Sequence, residues 1–224
     1  MIELIDLKKY YKIGDIIVKA LDGVSIKIEE GEFLSIVGPS GSGKTTLLDQ
    51  IGALDTPTSG SVIIDGIDIA KIPKSILYML RREKIGFVFQ NHNLIASLTA
   101  LENVLIPLLP EGIDQKKYER ALKLLEAVGL KERALHKPSE LSAGQKQRVA
   151  VARALINNPK MILADEPTGS VDTKTGQEIV GILKQLNSNF NTTIIVVTHD
   201  LEIARNTERI IFLRDGKIDK ETKI

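Results

Sequence analysis

Gly38-Pro39-Ser40-Gly41-Ser42-Gly43-Lys44-Thr45 fits the pattern G-x-x-x-x-G-K-[ST]. It lies between a run that reads as a strand, Phe33–Val37, and one that reads as a helix, about Lys44–Gly52. No other feature constrains the fold as strongly, because a glycine turn joining a strand to a helix is a unit of α/β sheets. Gly41 and Gly43 allow the backbone to approach an anion closely and to turn several N–H groups toward it. The helix N-terminus adds positive potential at the same point. Lys44 supplies a point charge suited to β- and γ-phosphates, and the Thr45 hydroxyl can ligate Mg²⁺. With Thr46 in the next position, Gly38–Thr46 is the candidate nucleotide-binding segment.

The rest of the chain reads as more of the same sheet around one helical stretch. Short β-rich runs occur at Ile2–Leu7, Val24–Ile28, Ser61–Asp65 and Ile85–Phe89. From about Asn91 to Asn158 the texture changes, and Ala121, Leu122, Leu124, Leu125 and Val128 recur at helical spacing. Met161-Ile162-Leu163-Ala164 and Thr193–Val197 are unbroken apolar runs, as suits strands covered on both faces. A helix is expected between them, roughly Lys174–Leu186, and two last strands at Arg209–Leu213 and Lys217–Asp219. This alternation predicts an α/β fold with a largely parallel core.

Asp165-Glu166 follows the strand at Met161–Ala164. A carboxylate at the end of a buried parallel strand falls beside the phosphate loop in doubly wound folds. Asp165 is then placed for the Mg²⁺ shell, and Glu166 for accepting a proton from an attacking water.

Composition excludes several other chemistries. The net charge of +1 leaves no electrostatic footprint for nucleic acid. With no cysteine, disulfides, thiolate metal sites and a Cys nucleophile are ruled out. No apolar run approaches the roughly 18–20 residues of a membrane span, so the chain is expected to be soluble by itself and to reach a membrane only through a partner.

In order along the chain stand the phosphate loop Gly38–Thr45, Gln90 after a strand, Leu141-Ser142-Ala143-Gly144-Gln145, Asp165-Glu166, Ser170-Val171-Asp172 and His199. This series resembles the ATP-binding-cassette ATPases, the nucleotide-binding subunits of ABC transporters, over essentially the full length. The resemblance implies a P-loop NTPase core with a parallel sheet, an N-terminal antiparallel β-subdomain and an inserted α-helical subdomain. It implies one domain over residues 1–224, with 1–90 and 159–224 forming the core and 91–158 the helical part. ATP and Mg²⁺ are the implied ligands, and Thr45, Gln90 and Asp165 the implied metal contacts. Glu166, His199 and Gln90 would be catalytic, His199 at the γ-phosphate and Gln90 at the hinge between the subdomains. Tyr11 resembles the aromatic that stacks on adenine. His92 and His136 match no motif.

Leu141–Gln145 resembles the family's signature loop, with Ala143 where glycine is commoner. Ser142 and Gly144, at the start of a helix through about Leu155, would form a second anion nest. In the family this nest reaches the γ-phosphate held by another subunit, so two ATP molecules are sandwiched in a head-to-tail homodimer. The Ser170–Asp172 loop would lie across that interface. Gly86–Gln90, Leu98–Val104 and Leu163–Gly169 resemble the branch that serves lipoprotein release and macrolide export. The implied partners are a second copy and an integral-membrane permease, at the cytoplasmic face of the membrane. The segment Asn91–Leu101 and the helix near Ile76–Arg82 are the expected permease groove. The alternative is a soluble ATPase of the same type, such as a cluster-assembly subunit. DNA-repair forms are disfavoured because only 95 residues lie between Thr45 and Leu141, where those forms insert a long coiled coil.

Overall fold

A computed structural model describes residues 1–224, the Lys74 side chain excepted. In chain order the elements are β1 (Ile2–Ile13), β2 (Ile16–Ile28), β3 (Phe33–Val37), α1 (Lys44–Ile51), β4 (Ser59–Ile64) and β5 (Ile67–Asp68). Then come α2 (Lys74–Lys84), β6 (Ile85–Val88), α3 (Ala100–Leu105), α4 (Gln115–Ala127) and α5 (Ala143–Leu155). The chain closes with β7 (Met161–Asp165), α6 (Thr173–Phe190), β8 (Thr193–Thr198), α7 (Leu201–Ala204), β9 (Arg209–Arg214) and β10 (Lys217–Lys223).

Two sheets form. One has the order β2-β1-β4-β5 and is antiparallel throughout. The other has the order β10-β9-β3-β8-β7-β6 and is parallel except for the edge strand β10. The apolar runs at β7 and β8 are explained by their neighbours. Ile162, Ala164, Ile194 and Val196 face a core shared with α3, α4, α5 and α6. Met161, Leu163, Ile195 and Val197 face the opposite core, shared with α1 and the antiparallel sheet. Period-2 alternation sends successive side chains to opposite faces, and both faces are covered.

The sheet brings the chemistry to one edge. β3 and β7 are parallel and both flank β8, so their carboxyl ends lie on the same side. The phosphate loop leaves β3 there, and Asp165 closes β7 there.

The N-terminal strands are much longer than the expected Ile2–Leu7 and Val24–Ile28. They extend to a hairpin with Ile13 opposite Ile16, turned by Gly14 and Asp15. Gly14 has φ +60°, the left-handed conformation that two-residue hairpin loops require. The outer part of this hairpin is mostly exposed and rich in lysine, so no burial pattern marks it in the sequence.

Asp65, at the turn after β4, ties this sheet to the parallel one. Its carboxylate accepts from Lys84 Nζ at 2.7 Å and Lys160 Nζ at 2.9 Å. The hydrogen bond from Lys84 is the main reason its carboxyl titrates well below the usual range, against the opposing effect of burial. Asn tolerates the left-handed backbone of Asp65, φ +50°, so Asp65→Asn removes charge without straining the turn. We expect it to cost about 1–3 kcal/mol at pH 7, read by denaturant unfolding. A depressed carboxylate stabilises above its unfolded pKa and stops doing so as pH falls through its folded pKa. The gap between variant and parent therefore narrows below about pH 4.

Candidate active site

The phosphate loop is held open by close packing. Gly41 and Gly43 have φ of +79° and +100°. A Cβ on Gly43 would stand 2.3 Å from the Ala20 carbonyl oxygen, and one on Gly38 would stand 2.1 Å from that of Leu213. These positions therefore need glycine for space, and Gly43 for conformation as well. Lys44 Nζ donates to the Gly38 and Pro39 carbonyls at 2.8 and 2.9 Å, across the mouth of the loop. Beside it lies a cleft of about 610 Å³. Ser40, Gly41, Gly43, Lys44, Thr45 and Thr46 line one wall, and Gln90, Glu166 and His199 the other.

The carboxylates of β7 face this loop. Thr45 Oγ1 donates to Asp165 Oδ1 at 3.3 Å. Burial pushes the Asp165 carboxyl up, the neighbouring Glu166 charge adds to that, and Thr45 and Lys44 oppose it. Glu166 has φ +45°, an unfavourable conformation for a residue with a side chain. Its backbone N–H donates to Val197 O at 2.9 Å, and Thr198 Oγ1 donates to Oε2 at 3.3 Å. His199 Nδ1 lies 2.9 Å from Oε1. The strained backbone thus holds the Glu166 carboxylate over the cleft between two side chains from the end of β8.

Gln90 reaches the same place from the end of β6. A Cβ on Gly169 would stand 2.8 Å from Gln90 Nε2, so the Gln90 amide lies against that glycine. Thr45, Asp165 and Gln90 offer a small set of oxygen donors. Such a set fits Mg²⁺, which takes few protein ligands and completes its shell with phosphate and water. Among the described residues, no group of three or more His, Cys, Asp or Glu could hold a metal ion.

The Leu141–Gln145 loop lies elsewhere. None of its residues lines the cleft. Ser142 caps α5 in a reciprocal box: its hydroxyl accepts from Gln145 N at 3.2 Å, and Gln145 Oε1 accepts from Ser142 N at 2.9 Å. Ala143 is the first residue of α5 and does not have a positive φ, so its methyl is accommodated. Gly144 is buried, and a Cβ there would stand 2.3 Å from Thr175 Cγ2. Asp172 caps α6, accepting from Thr175 N at 3.0 Å and Thr175 Oγ1 at 2.6 Å. Ser170 and Val171 precede it in an exposed turn.

Tyr11 is also off the lining of the cleft. Its hydroxyl donates to Asp55 Oδ2 at 3.0 Å, and Lys9 Nζ stands 5.0 Å from the centre of its ring. Burial and the Asp55 hydrogen bond raise its pKa. The residues of β2 on the cleft wall are Val18, Lys19 and Ala20. No local signal marks them, because their place depends on the long hairpin.

A second, more apolar groove of about 440 Å³ is bounded by Tyr78, Arg81 and Arg82 of α2, by Phe87 and Phe89, and by Ile106 and Pro107. Of the expected segment Asn91–Leu101, Asn93 lines it. Leu94 packs on the core and Leu98 is half-buried. Leu94, Ile95 and Leu98 do not line it, and Ile95 is exposed outside it.

The sequence profile of the ABC transporter family matches residues 21–169. The chain belongs to the ABC transporter family. It is an ATP-hydrolysing cassette that uses ATP with Mg²⁺. It is 53% identical over 231 residues to the ABC transporter ATP-binding protein MJ0796 of Methanocaldococcus jannaschii, covering 100% of this chain and 97% of the relative. It is 49% identical to the macrolide export ATP-binding/permease protein MacB of Hyphomonas neptunium, covering 97% of this chain and 34% of that protein. The cassette superposes with a TM-score of 0.92 on a dimeric, post-hydrolysis structure of MJ0796 bound to ADP and Pi, at 50% identity and with 100% and 98% of the two chains covered.

Proposed function

We propose that this cassette is the energy-supplying subunit of a membrane export system, working as a homodimer with two ATP molecules sandwiched between the copies. One observation carries the reading. The cleft is lined by the phosphate loop and Glu166, with Asp165 hydrogen-bonded to Thr45 beside it, yet the chain's own signature loop is absent from its wall. A second copy placed head to tail would supply Ser142 and the N–H groups at the start of α5. The dimeric MJ0796 structures support the pairing of two copies, and the macrolide-export relatives support the export role. Among the described residues no helix is long and apolar enough to cross a membrane. The permease, whether a separate chain or a further part of this one, docks at the apolar groove beside α2.

In this reading the N–H groups of the loop and Lys44 hold the β- and γ-phosphates. Thr45, Asp165 and Gln90 would hold Mg²⁺, which offsets charge on the phosphoryl oxygens. Glu166 accepts a proton from water as its oxygen attacks the γ-phosphorus. The bond from that phosphorus to the bridging oxygen breaks, leaving ADP and inorganic phosphate. Thr198 and His199 hold the Glu166 carboxylate in line. Tyr11 borders the base, and Ser170–Asp172 meets the other copy.

Ser142→Asp tests the dimer: Ser142 is exposed and Asp can keep the cap on α5, while a negative charge is placed where the second γ-phosphate would arrive. The expected result is ATP binding within a few-fold of the parent, with turnover reduced about a hundredfold or more. Turnover per chain of the parent should also rise with protein concentration. Concentration-independent turnover that survives Ser142→Asp would mean each chain works alone.

A further inference from the structure

His92 matches no motif, yet it stands where three functional segments meet. His92 and Asn93 have φ of +59° and +48°, two successive left-handed residues with side chains. Such a conformation persists only where the surroundings fix it. Here α5 fixes it. The Arg153 guanidinium donates to His92 O at 2.7 Å and to Asn93 O at 2.6 Å. Nearly two turns upstream on the same helix, Gln147 Nε2 donates to Phe89 O at 3.4 Å. The backbone around Gln90 is thereby attached to the signature helix on both sides.

The half-buried His92 ring extends from this loop toward the one that follows Glu166. Its Nε2 lies 3.3 Å from Ser170 Oγ, and Ser170 Oγ lies 3.2 Å from Gln90 O. A carbonyl only accepts, so the single Ser170 proton goes to Gln90 O and the His92 Nε2–H donates to Ser170 Oγ. Ser170 is tied in turn to Glu166, since Gly169 N donates to Glu166 O at 3.0 Å. The Gln90 amide lies against that same Gly169.

We propose that His92 is a positioning residue, a latch that joins the Gln90 loop and signature helix to the Ser170 loop so that Gln90 and Glu166 are presented to the nucleotide together. This rests on the roles proposed above for Gln90, Glu166 and Ser170. The latch crosses from the helical part of the chain to the sheet part, so it couples the placement of the two.

The test is steady-state ATP hydrolysis by the full chain, with melting temperature measured for each variant. His92→Phe keeps the ring and removes the N–H. Ser170→Ala removes the bridging hydroxyl from the other side, and carries the same test should His92→Phe fail to fold. Each should lower kcat about five- to twentyfold with KM for ATP within twofold, and the double variant should be no slower than the slower single. His92→Gln places an amide N–H near the Nε2 position and should restore at least half of the parent kcat. A kcat within twofold of the parent for either single variant, losses that multiply in the double, or no rescue by Gln would overturn the latch. Lys44→Ala is measured in parallel. Turnover retained in that variant would instead overturn the assignment of the nucleotide cleft, whatever His92 does.

Discussion

Glu166→Gln should slow ATP hydrolysis by roughly 10²–10⁴-fold, the usual contribution of a positioned general base. ATP affinity should be kept. The substitution is nearly isosteric, and the Gln amide oxygen can still accept from Thr198 Oγ1, which now donates to Glu166 at 3.3 Å. The left-handed backbone at Glu166 is held by its N–H to Val197 O and by the turn to Gly169, and neither depends on the carboxylate. Binding and turnover should therefore separate cleanly. Rapid-quench measurement of ATP cleavage, beside filter binding of labelled ATP, reads the two independently. Hydrolysis near the parent rate would place the proton acceptor elsewhere.

Lys44→Ala should fail one step earlier. The Lys44 ammonium stands across the mouth of the loop, 2.8 and 2.9 Å from the Gly38 and Pro39 carbonyls. Lys44 is only 8% exposed, and those two carbonyls fix its ammonium in place. A charge-assisted hydrogen bond to phosphate is worth about 1.5–3 kcal/mol, or roughly 10–150-fold in affinity. ATP binding by calorimetry should weaken by at least that factor, with turnover falling further. The fold should survive, because the loop's shape comes from Gly38 and Gly43 packing against the Leu213 and Ala20 carbonyls. Unchanged binding would remove the phosphate loop from the site.

The parts of this site that the sequence made legible are those whose chemistry is local. A glycine pattern between a strand and a helix needs no distant partner to be read, and Asp165-Glu166 announces itself by following an apolar strand. The two-faced burial of β7 and β8 was readable for the same reason, since an unbroken apolar run is a property of neighbouring residues. The missing parts depend on contacts far apart in the chain. Val18, Lys19 and Ala20 reach the cleft only because β1 and β2 run on to the Gly14 turn, and that extension carries lysines and exposed isoleucines rather than a buried pattern. His92 gained a place only when α5 and the Ser170 loop closed around it. The apolar groove beside α2 takes in Ile106 and Pro107, which carry no local signal, while Leu94 packs partly buried against the core.

The central claim is that one copy supplies the phosphate loop and another the signature loop. Light scattering of the Glu166→Gln chain, coupled to gel filtration with and without ATP, measures this directly. The sandwich predicts a particle of twice the 24.6 kDa chain mass when ATP is present, returning to the monomer when ATP is removed. An ATP-bound variant that stays at the mass of one chain at every concentration tested would contradict it.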